Sequence, residues 1–304
     1  MSLPVRQSLV LLFLILALQR GGRAFAQSQQ YLPPGFPVPS GYLAPGQDDY
    51  ASHILIPPPP LRISADEWGK LRNKINPPCG GQDYLPYVVH ISTDGQVGEA
   101  TLLPYEVWCN DHKIPLGPPA LIRQHLGEAE AQLRKGRFRP WVINGHTVQV
   151  AVSSGIAIAP PEKYGQLRPF PSPVVQASVL VIMQQMGCEG KCPSYRMTLH
   201  GDGTLEYEGF TFVAVAGKKT VRIDPAAVAN LVRQFEEAKF FSALPEYRGA
   251  VDGGETLLQI SVNGKSHTVN DALGLSAGLP TSIRDLEWSI KRIKNVRQWV
   301  YGAN

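Results

Sequence analysis

Gly187-Cys188-Glu189-Gly190-Lys191-Cys192-Pro193-Ser194-Tyr195 sets two of the four cysteines within one tight turn, directly after the apolar run Val179 to Met183. Beyond it, Tyr195, Met197 and Leu199 alternate with Arg196, Thr198 and His200, and Gly201-Asp202-Gly203 turns the chain into Leu205 and Tyr207. A period of two marks strands with one buried face. The stretch therefore predicts a cross-linked entrance to a hairpin, and with it a second half built on a sheet.

Downstream, a strand near Lys219 to Ile223 gives way to Asp224-Pro225, an N-cap with Pro at the first helical position. The helix that follows places Val228, Leu231, Val232 and Phe235 on one face, which must pack on the sheet. Leu257 to Val262 and His267 to Asn270 form another hairpin, turning at Asn263-Gly264. A last helix carries Ile283, Leu286, Ile290 and Ile293 inward, with Lys291, Arg292, Lys294 and Arg297 near its C-terminus, where cations complement the macrodipole. That basic group reads as a solvated helix end in preference to a contact with anionic lipid.

Upstream, Pro160-Pro161 to Pro173 is a Pro-rich connector. Before it, Ser64 and Glu67 stand at capping-box spacing and open a short helix to about Lys74, stopped by Pro77-Pro78. Tyr87 to Ser92 and Val97 to Leu102 read as a hairpin around Asp94-Gly95. Ile122, Leu126, Ala129 and Leu133 recur at helical spacing between Pro118 and Phe138, which predicts one amphipathic helix. A second hairpin joins Trp141-Val142-Ile143 to Thr147-Val148-Gln149-Val150 through Asn144-Gly145. From Gln27 to Pro60 the chain is Gln, Tyr, Pro, Gly and Ser, the composition of an extended tether.

The first 26 residues carry Arg6, the apolar run Leu9 to Leu18, Arg20, Arg23 and Ala24-Phe25-Ala26. This is the pattern of a cleavable secretory signal. The apolar run is shorter than the roughly 20 residues a membrane-spanning helix needs. Removing those three arginines lowers the formal net charge from +4 to +1. A near-neutral chain has no electrostatic footprint for nucleic acid. Export would expose Cys79, Cys109, Cys188 and Cys192 to an oxidising compartment, where an even count reads first as disulfides. Of the three possible pairings, proximity favours Cys79 with Cys109 and Cys188 with Cys192.

In the first half, the strand pair with Asp-Gly, the amphipathic helix, Gly136-Arg137-Phe138-Arg139-Pro140 and the strand pair with Asn-Gly resemble the C-terminal domain of TonB-type energy transducers. The likeness covers about Ser64 to Pro161 and implies an α+β fold and a cell-envelope location. The second half, about Val179 to Asn295, is similar to an uncharacterised bacterial domain family marked by Cys-x-x-x-Cys-Pro-x-Tyr and a Gly-Asp-Gly turn. Cys188, Cys192, Pro193, Tyr195, Gly201, Asp202 and Gly203 match that pattern.

Three segments invite a chemical reading. Cys188 and Cys192 have Cys-x-x-x-Cys spacing, not the Cys-x-x-Cys of oxidoreductases, so a structural disulfide is preferred to a redox or metal role. Cys109-Asn110-Asp111-His112 supplies half a zinc site, and the seven histidines include no pair at ligand spacing, so no metal is expected. Gly274-Leu275-Ser276-Ala277-Gly278 fits Gly-x-Ser-x-Gly, yet the last histidine, His267, precedes the serine, so no nucleophile elbow is assigned.

The sequence thus predicts an α+β chain of two small domains, each an antiparallel sheet with one or two packed helices. The expected division is a signal peptide at 1–26, a disordered tether at 27–63, a transducer-like domain at 64–161, a linker at 162–177, a second domain at 178–296 and a tail at 297–304. No catalytic residue and no cofactor are assigned. The expected role is an exported, periplasmic or extracellular, non-catalytic protein without an integral membrane span, binding an envelope protein or peptide by strand addition. The alternatives are a redox-active or metal-binding protein centred on Cys188 and Cys192, and a transducer that keeps its N-terminal anchor.

Overall fold

The computed structural model describes residues 41–43, 52–74, 84–103, 105–109, 112–116, 120–188, 191–249 and 254–302, with the backbone alone for 72–74, 105–109 and 112–116. The fold is α+β, as the alternation of strand and helix patterns predicts. In chain order the first half contains β1 (Tyr42–Leu43), β2 (Ile54–Ile56), β3 (Leu61–Arg62), α1 (Ala65–Lys74), β4 (Tyr84–Ile91) and β5 (Val97–Leu102). After these come β6 (Tyr105–Cys109), β7 (His112–Leu116), α2 (Ala120–Arg123), α3 (Leu126–Leu133), β8 (Arg137–Phe138), β9 (Trp141–Ile143) and the long β10 (His146–Ala159).

Local signals place these elements. Ser64 Oγ accepts from the Glu67 N–H at 3.2 Å while Glu67 Oε2 accepts from the Ser64 N–H at 2.9 Å, a reciprocal cap on α1. Asn144 and Gly145 both have positive φ, the backbone of a two-residue hairpin turn between β9 and β10. The β4–β5 turn differs from expectation. Only Gly95 takes a positive φ there, and the turn closes with Ser92 N–H donating to Gln96 O and Gly95 N–H to Ser92 O.

β10 is the axis of the first sheet, whose order is β1-β10-β4-β5. β10 pairs antiparallel with β9 from His146 to Val148 and with β4 from Val150 to Ala157, and parallel with β1 at Gln149 and Val150 and with β3 at Ile158 and Ala159. Ile122, Ala129 and Leu133 seal one face together with Leu85, Tyr87, Val89, Val152 and Ile156. The single helix expected around these positions is two, broken at Gln124-His125. His125 Nε2 lies 3.1 Å from Glu67 Oε1 and its Nδ1 lies 3.5 Å from Glu128 Oε2, so the break is fastened to α1 by polar contacts.

The second half runs β11 (Leu180–Gln185), β12 (Ser194–His200), β13 (Thr204–Thr211), β14 (Gly217–Arg222), α4 (Pro225–Glu237), β15 (Glu246–Arg248), β16 (Glu255–Val262), β17 (Lys265–Ala272), α5 (Thr281–Lys291) and α6 (Lys294–Tyr301). The seven-stranded sheet has the order β14-β13-β12-β11-β16-β17-β15 and is antiparallel except for β15 beside β17. Asp224 Oδ1 accepts from the Ala226 N–H at 2.9 Å, capping α4 as its Asp-Pro start predicts. Val228, Leu231, Val232 and Phe235 of α4 and Ile283, Leu286 and Ile290 of α5 bury against Met197, Leu199, Leu205, Leu258 and Ile260.

Four expectations are corrected. The predicted tether, 27–63, is built into the fold over its last part: β2 pairs with β8, β3 pairs with β10, and Leu61 and Ile63 are buried. The predicted linker, 162–177, packs on the second domain. There Lys163 N–H donates to Gly278 O, Gly165 N–H to Ser242 O, and Phe170 meets Phe241 edge-on at 5.4 Å. The predicted tail is core, because Val300 is buried, Trp299 lies 5.1 Å from Tyr207 and Ala214 N–H donates to Val300 O. The last helix therefore breaks at Ile293, which lets α6 return to the sheet. In each case a backbone group or an apolar side chain found a distant partner that no local pattern announces. The stretch 1–26, read as a signal, lies outside the described residues.

The Gly-Asp-Gly turn is the most constrained point of the second sheet. A Cβ at Gly201 would stand 1.7 Å from the Gln176 carbonyl oxygen. Gly201→Ala should therefore destabilise the protein by about 1–3 kcal/mol or more, read as a lower urea midpoint at unchanged slope.

Candidate functional site

The family-motif residues flank and enter β12, the disulfide at its start and the Gly-Asp-Gly turn at its end. Cys188 and Cys192 form a disulfide with Cα atoms 5.5 Å apart, closing the connection from β11 to β12. Tyr195 is buried and tilts against Tyr207 at 5.9 Å between ring centres. Asp202 accepts from the Thr204 N–H at 2.8 Å, from its hydroxyl at 3.0 Å and from Arg222 Nη2 at 2.9 Å, and the Thr204 bonds lower its pKa most. Gly203 adopts a positive φ of 88° beside the Ile223 carbonyl. The disulfide closes the connection before β12, Asp202 and Gly203 fix the turn after it, and Tyr195 packs in the core between them. The expected Cys79–Cys109 pairing lies outside the described residues. For the proposed half-site at Cys109 and His112, only the backbone is described; it pairs the two residues across the β6–β7 hairpin.

The site with chemical character lies elsewhere, where the two halves meet. A cavity of about 510 Å³ is bounded by Tyr84, Ala157 and Ile158 of the first half and by Gln185, Thr256, Asp271 and the segment Leu273 to Ser276 of the second. Arg284, Glu287, Trp288 and Lys291 of α5 complete its wall. The seam beside it is polar. Arg62 donates to Pro160 O at 2.8 Å, to Leu279 O at 2.5 Å and to Thr281 Oγ1 at 3.2 Å, while Arg284 donates to Pro58 O at 2.9 Å. These bonds hold the cavity walls in register.

Within the cavity wall, Glu287 is 3% exposed and its Oε1 has no hydrogen-bond partner among the described residues. Its Oε2 lies 3.9 Å from Lys291 Nζ, too far for a hydrogen bond. Burial, and next the neighbouring Asp271, push the Glu287 pKa well above its ordinary value against the opposing pull of Lys291 and Arg284. Asp271 is also raised, chiefly by burial, although its Oδ1 accepts the Gly274 N–H at 2.6 Å. Lys291 Nζ stands 5.5 Å from the centre of the Trp288 ring.

Sequence reasoning missed this cluster. The basic group near the end of the last helix does not form one solvated surface: Lys291 enters the cavity wall, Arg292 Nε donates to Trp288 O at 3.2 Å and Arg297 to Ser52 O at 3.2 Å. A signal was present in Glu287, which falls four residues after Ile283 and three before Ile290, on the stripe that faces the core. A carboxylate on such a stripe marks a buried ionisable group. Ser276, from the rejected Gly-x-Ser-x-Gly run, lines the cavity in a short 3₁₀ turn and donates to Leu273 O at 3.4 Å. No histidine lines the cavity among the described residues.

A family model described as a domain of unknown function (DUF6438) matches residues 179–294, the sheet and helices of the second half. The expected likeness of this half to an uncharacterised domain family is therefore found. No transducer-type domain is shown for the first half. Nothing among the curated proteins matches the chain.

The Glu287 environment has a measurable consequence. Its folded-state pKa lies above the ordinary value of 4.5, so between those two values the folded state binds more protons than the unfolded one. Stability is then greatest below that window and falls as pH rises through it, with Asp271 contributing in the same sense. Glu287→Gln, which mimics the neutral carboxyl, should flatten this fall: thermal unfolding should show the variant more stable than the parent at pH 8, with the gap closing toward pH 4.

Proposed function

We propose that the protein is an exported, non-catalytic binding module of the bacterial cell envelope whose ligand occupies the cavity between its two halves. The observation that carries this reading is the cavity itself: about 510 Å³, with walls from both halves and a charged, incompletely partnered cluster on α5. Ligand sites favour such concave, mostly apolar spaces between packed units with a few polar groups converging on them. The Ser276 hydroxyl has a backbone carbonyl as its acceptor, and among the described residues no histidine lines the cavity beside it, which favours binding over nucleophilic chemistry.

The cellular setting follows from the N-terminal pattern, whose basic start, short apolar run and Ala-x-Ala exit support export. Among the described residues no helix is long and apolar enough to cross a membrane. The transducer-like order of hairpin, helix and hairpin supports an envelope role for the first half, and strand addition to its sheet remains the proposed mode for a protein or peptide partner.

Retention measurements test the reading. The full chain, Ala157→Phe and Ser276→Phe would each be incubated with a low-molecular-weight envelope extract and washed, and the released compounds identified by mass spectrometry. The parent should retain a compound and return it unchanged, while both variants, filling the cavity from opposite halves, should lose it. Chemical conversion of the compound, or retention indifferent to both substitutions, would sink the proposal. The mass of the exported chain checks the setting: it should begin near Gln27.

A further inference from the structure

We propose that the cavity between the two halves takes a small organic acid, its carboxylate paired with Lys291 and its apolar body lodged against Trp288, Leu275 and Ile158. The inference rests on the reading of this cavity as the binding site and adds the chemical class of its ligand.

Four acidic or basic side chains among the described residues face the cavity. Two cations, Arg284 and Lys291, and two carboxyls, Asp271 and Glu287, come from α5 and β17. Arg284 is committed, donating to Pro58 O and to Asp285 Oδ1. Asp271 is committed in part, accepting the Gly274 N–H. Lys291 is different: its ammonium has no hydrogen bond among the described residues, its nearest carboxyl there, Glu287, stands 3.9 Å away, and Asp271 acts on it from farther off. Burial keeps the Glu287 carboxyl protonated beyond the ordinary range. A neutral Glu287 leaves Lys291 without a carboxylate within 4 Å among the described residues, and Asp271 is partly taken up by the Gly274 N–H.

The other ligand charges fit less well. An organic cation would seek the aromatic face of Trp288, but Lys291 Nζ already occupies a cation's position 5.5 Å from that ring. It would also meet the repulsion of two fixed positive groups. A neutral ligand would leave the ammonium unpaired in a partly dry space, an arrangement that favours an incoming anion. The side chain of Lys291 is 15% exposed, so solvent only partly substitutes for a counter-ion. The surface agrees with an acid that carries an apolar body, because Ile158, Leu275 and Trp288 share the lining with the charged groups.

Protonation of Glu287 then regulates binding. As pH rises and Glu287 ionises, it becomes the counter-ion of Lys291 and repels an acid, so affinity falls. Asp271, whose pKa burial also raises, opposes an incoming acid once ionised and so acts in the same sense as Glu287, while Arg284 favours the acid. Tyr195 also faces Glu287, from β12, and its own pKa is held well above 10.0 by burial, so it stays neutral across this range.

Calorimetric titration of the full chain with phenylacetate, phenylacetamide and phenethylamine decides the matter. Phenylacetate should bind best. Lys291→Met should weaken it at least about tenfold, the scale of one charge-assisted contact, and Lys291→Arg should restore most of the loss. Glu287→Gln should abolish the decline of binding with pH, a readout that a merely structural role would not move. Circular dichroism melts establish that each variant is folded.

Preference for the amide or the amine, still lost in Ala157→Phe, overturns the organic-acid assignment and leaves the cavity reading standing. Phenylacetate binding indifferent to Lys291→Met overturns the assignment as well. Absence of cavity-dependent binding by all three compounds overturns both.

Discussion

One guanidinium ties the two halves of the molecule together. Arg62 sits on a two-residue strand of the first sheet and donates to a carbonyl at the end of β10, to the Leu279 carbonyl and to the Thr281 hydroxyl at the start of α5, with Glu162 at 3.6 Å. Burial lowers its pKa, yet a guanidinium remains charged under any physiological condition. Its planar fork reaches three acceptors at once; a lysine ammonium on a flexible stem would have to satisfy them from a single point. The cost of desolvating that charge is offset by those bonds, and the bonds exist only if β3, β10 and α5 keep their relative positions. The cavity inherits its shape from this requirement.

The proline-rich stretches take their meaning from the same seam. Proline has no N–H to donate, so a run such as Pro57 to Pro60 offers carbonyl oxygens without competing donors. Arg284 uses the Pro58 carbonyl and Arg62 the Pro160 carbonyl. Each of the two Pro-rich stretches thus supplies one acceptor to an arginine of the seam. α5 serves twice: Ile283, Leu286 and Ile290 anchor it in the second core, while Arg284 joins the seam and Glu287 and Lys291 enter the cavity wall. A helix fixed on one face by packing holds its charged groups still on another.

Legibility followed the range of the interaction. The capping box at Ser64, the Asp224-Pro225 start of α4 and the Asn-Gly turns at Asn144 and Asn263 were readable because each is decided within four residues. The burial of Tyr195, Met197 and Leu199 was readable because alternation encodes it directly. The bond from Arg62 to Leu279 spans 217 residues, and nothing in either neighbourhood announces it. The break at His125 was hidden for a related reason: the apolar stripe runs unbroken through it, and the partner that holds the histidine, Glu67, lies 58 residues away. Glu287 was an intermediate case, an acid on an apolar stripe whose position was visible and whose unpaired oxygen was not.

The cysteine turn and the cavity are connected through β11. Its last residue, Gln185, lines the cavity and is held by three contacts: Thr256 Oγ1 donates to its side-chain oxygen at 3.0 Å, and its amide donates to Glu255 O at 3.1 Å and to Met186 O at 3.4 Å. Three residues later the chain enters the disulfide. Closing so short a loop removes only about 2 kcal/mol of chain entropy from the unfolded state, less than a long-range bridge would. Its greater effect is local, since it limits how far the β11–β12 connection can stray from the sheet and so keeps Gln185 against Glu255 and Thr256. The Cys188–Cys192 disulfide therefore stands beside the candidate site without forming it: it holds the backbone from which one wall is built, while Arg284, Glu287 and Lys291 of that cavity come from α5.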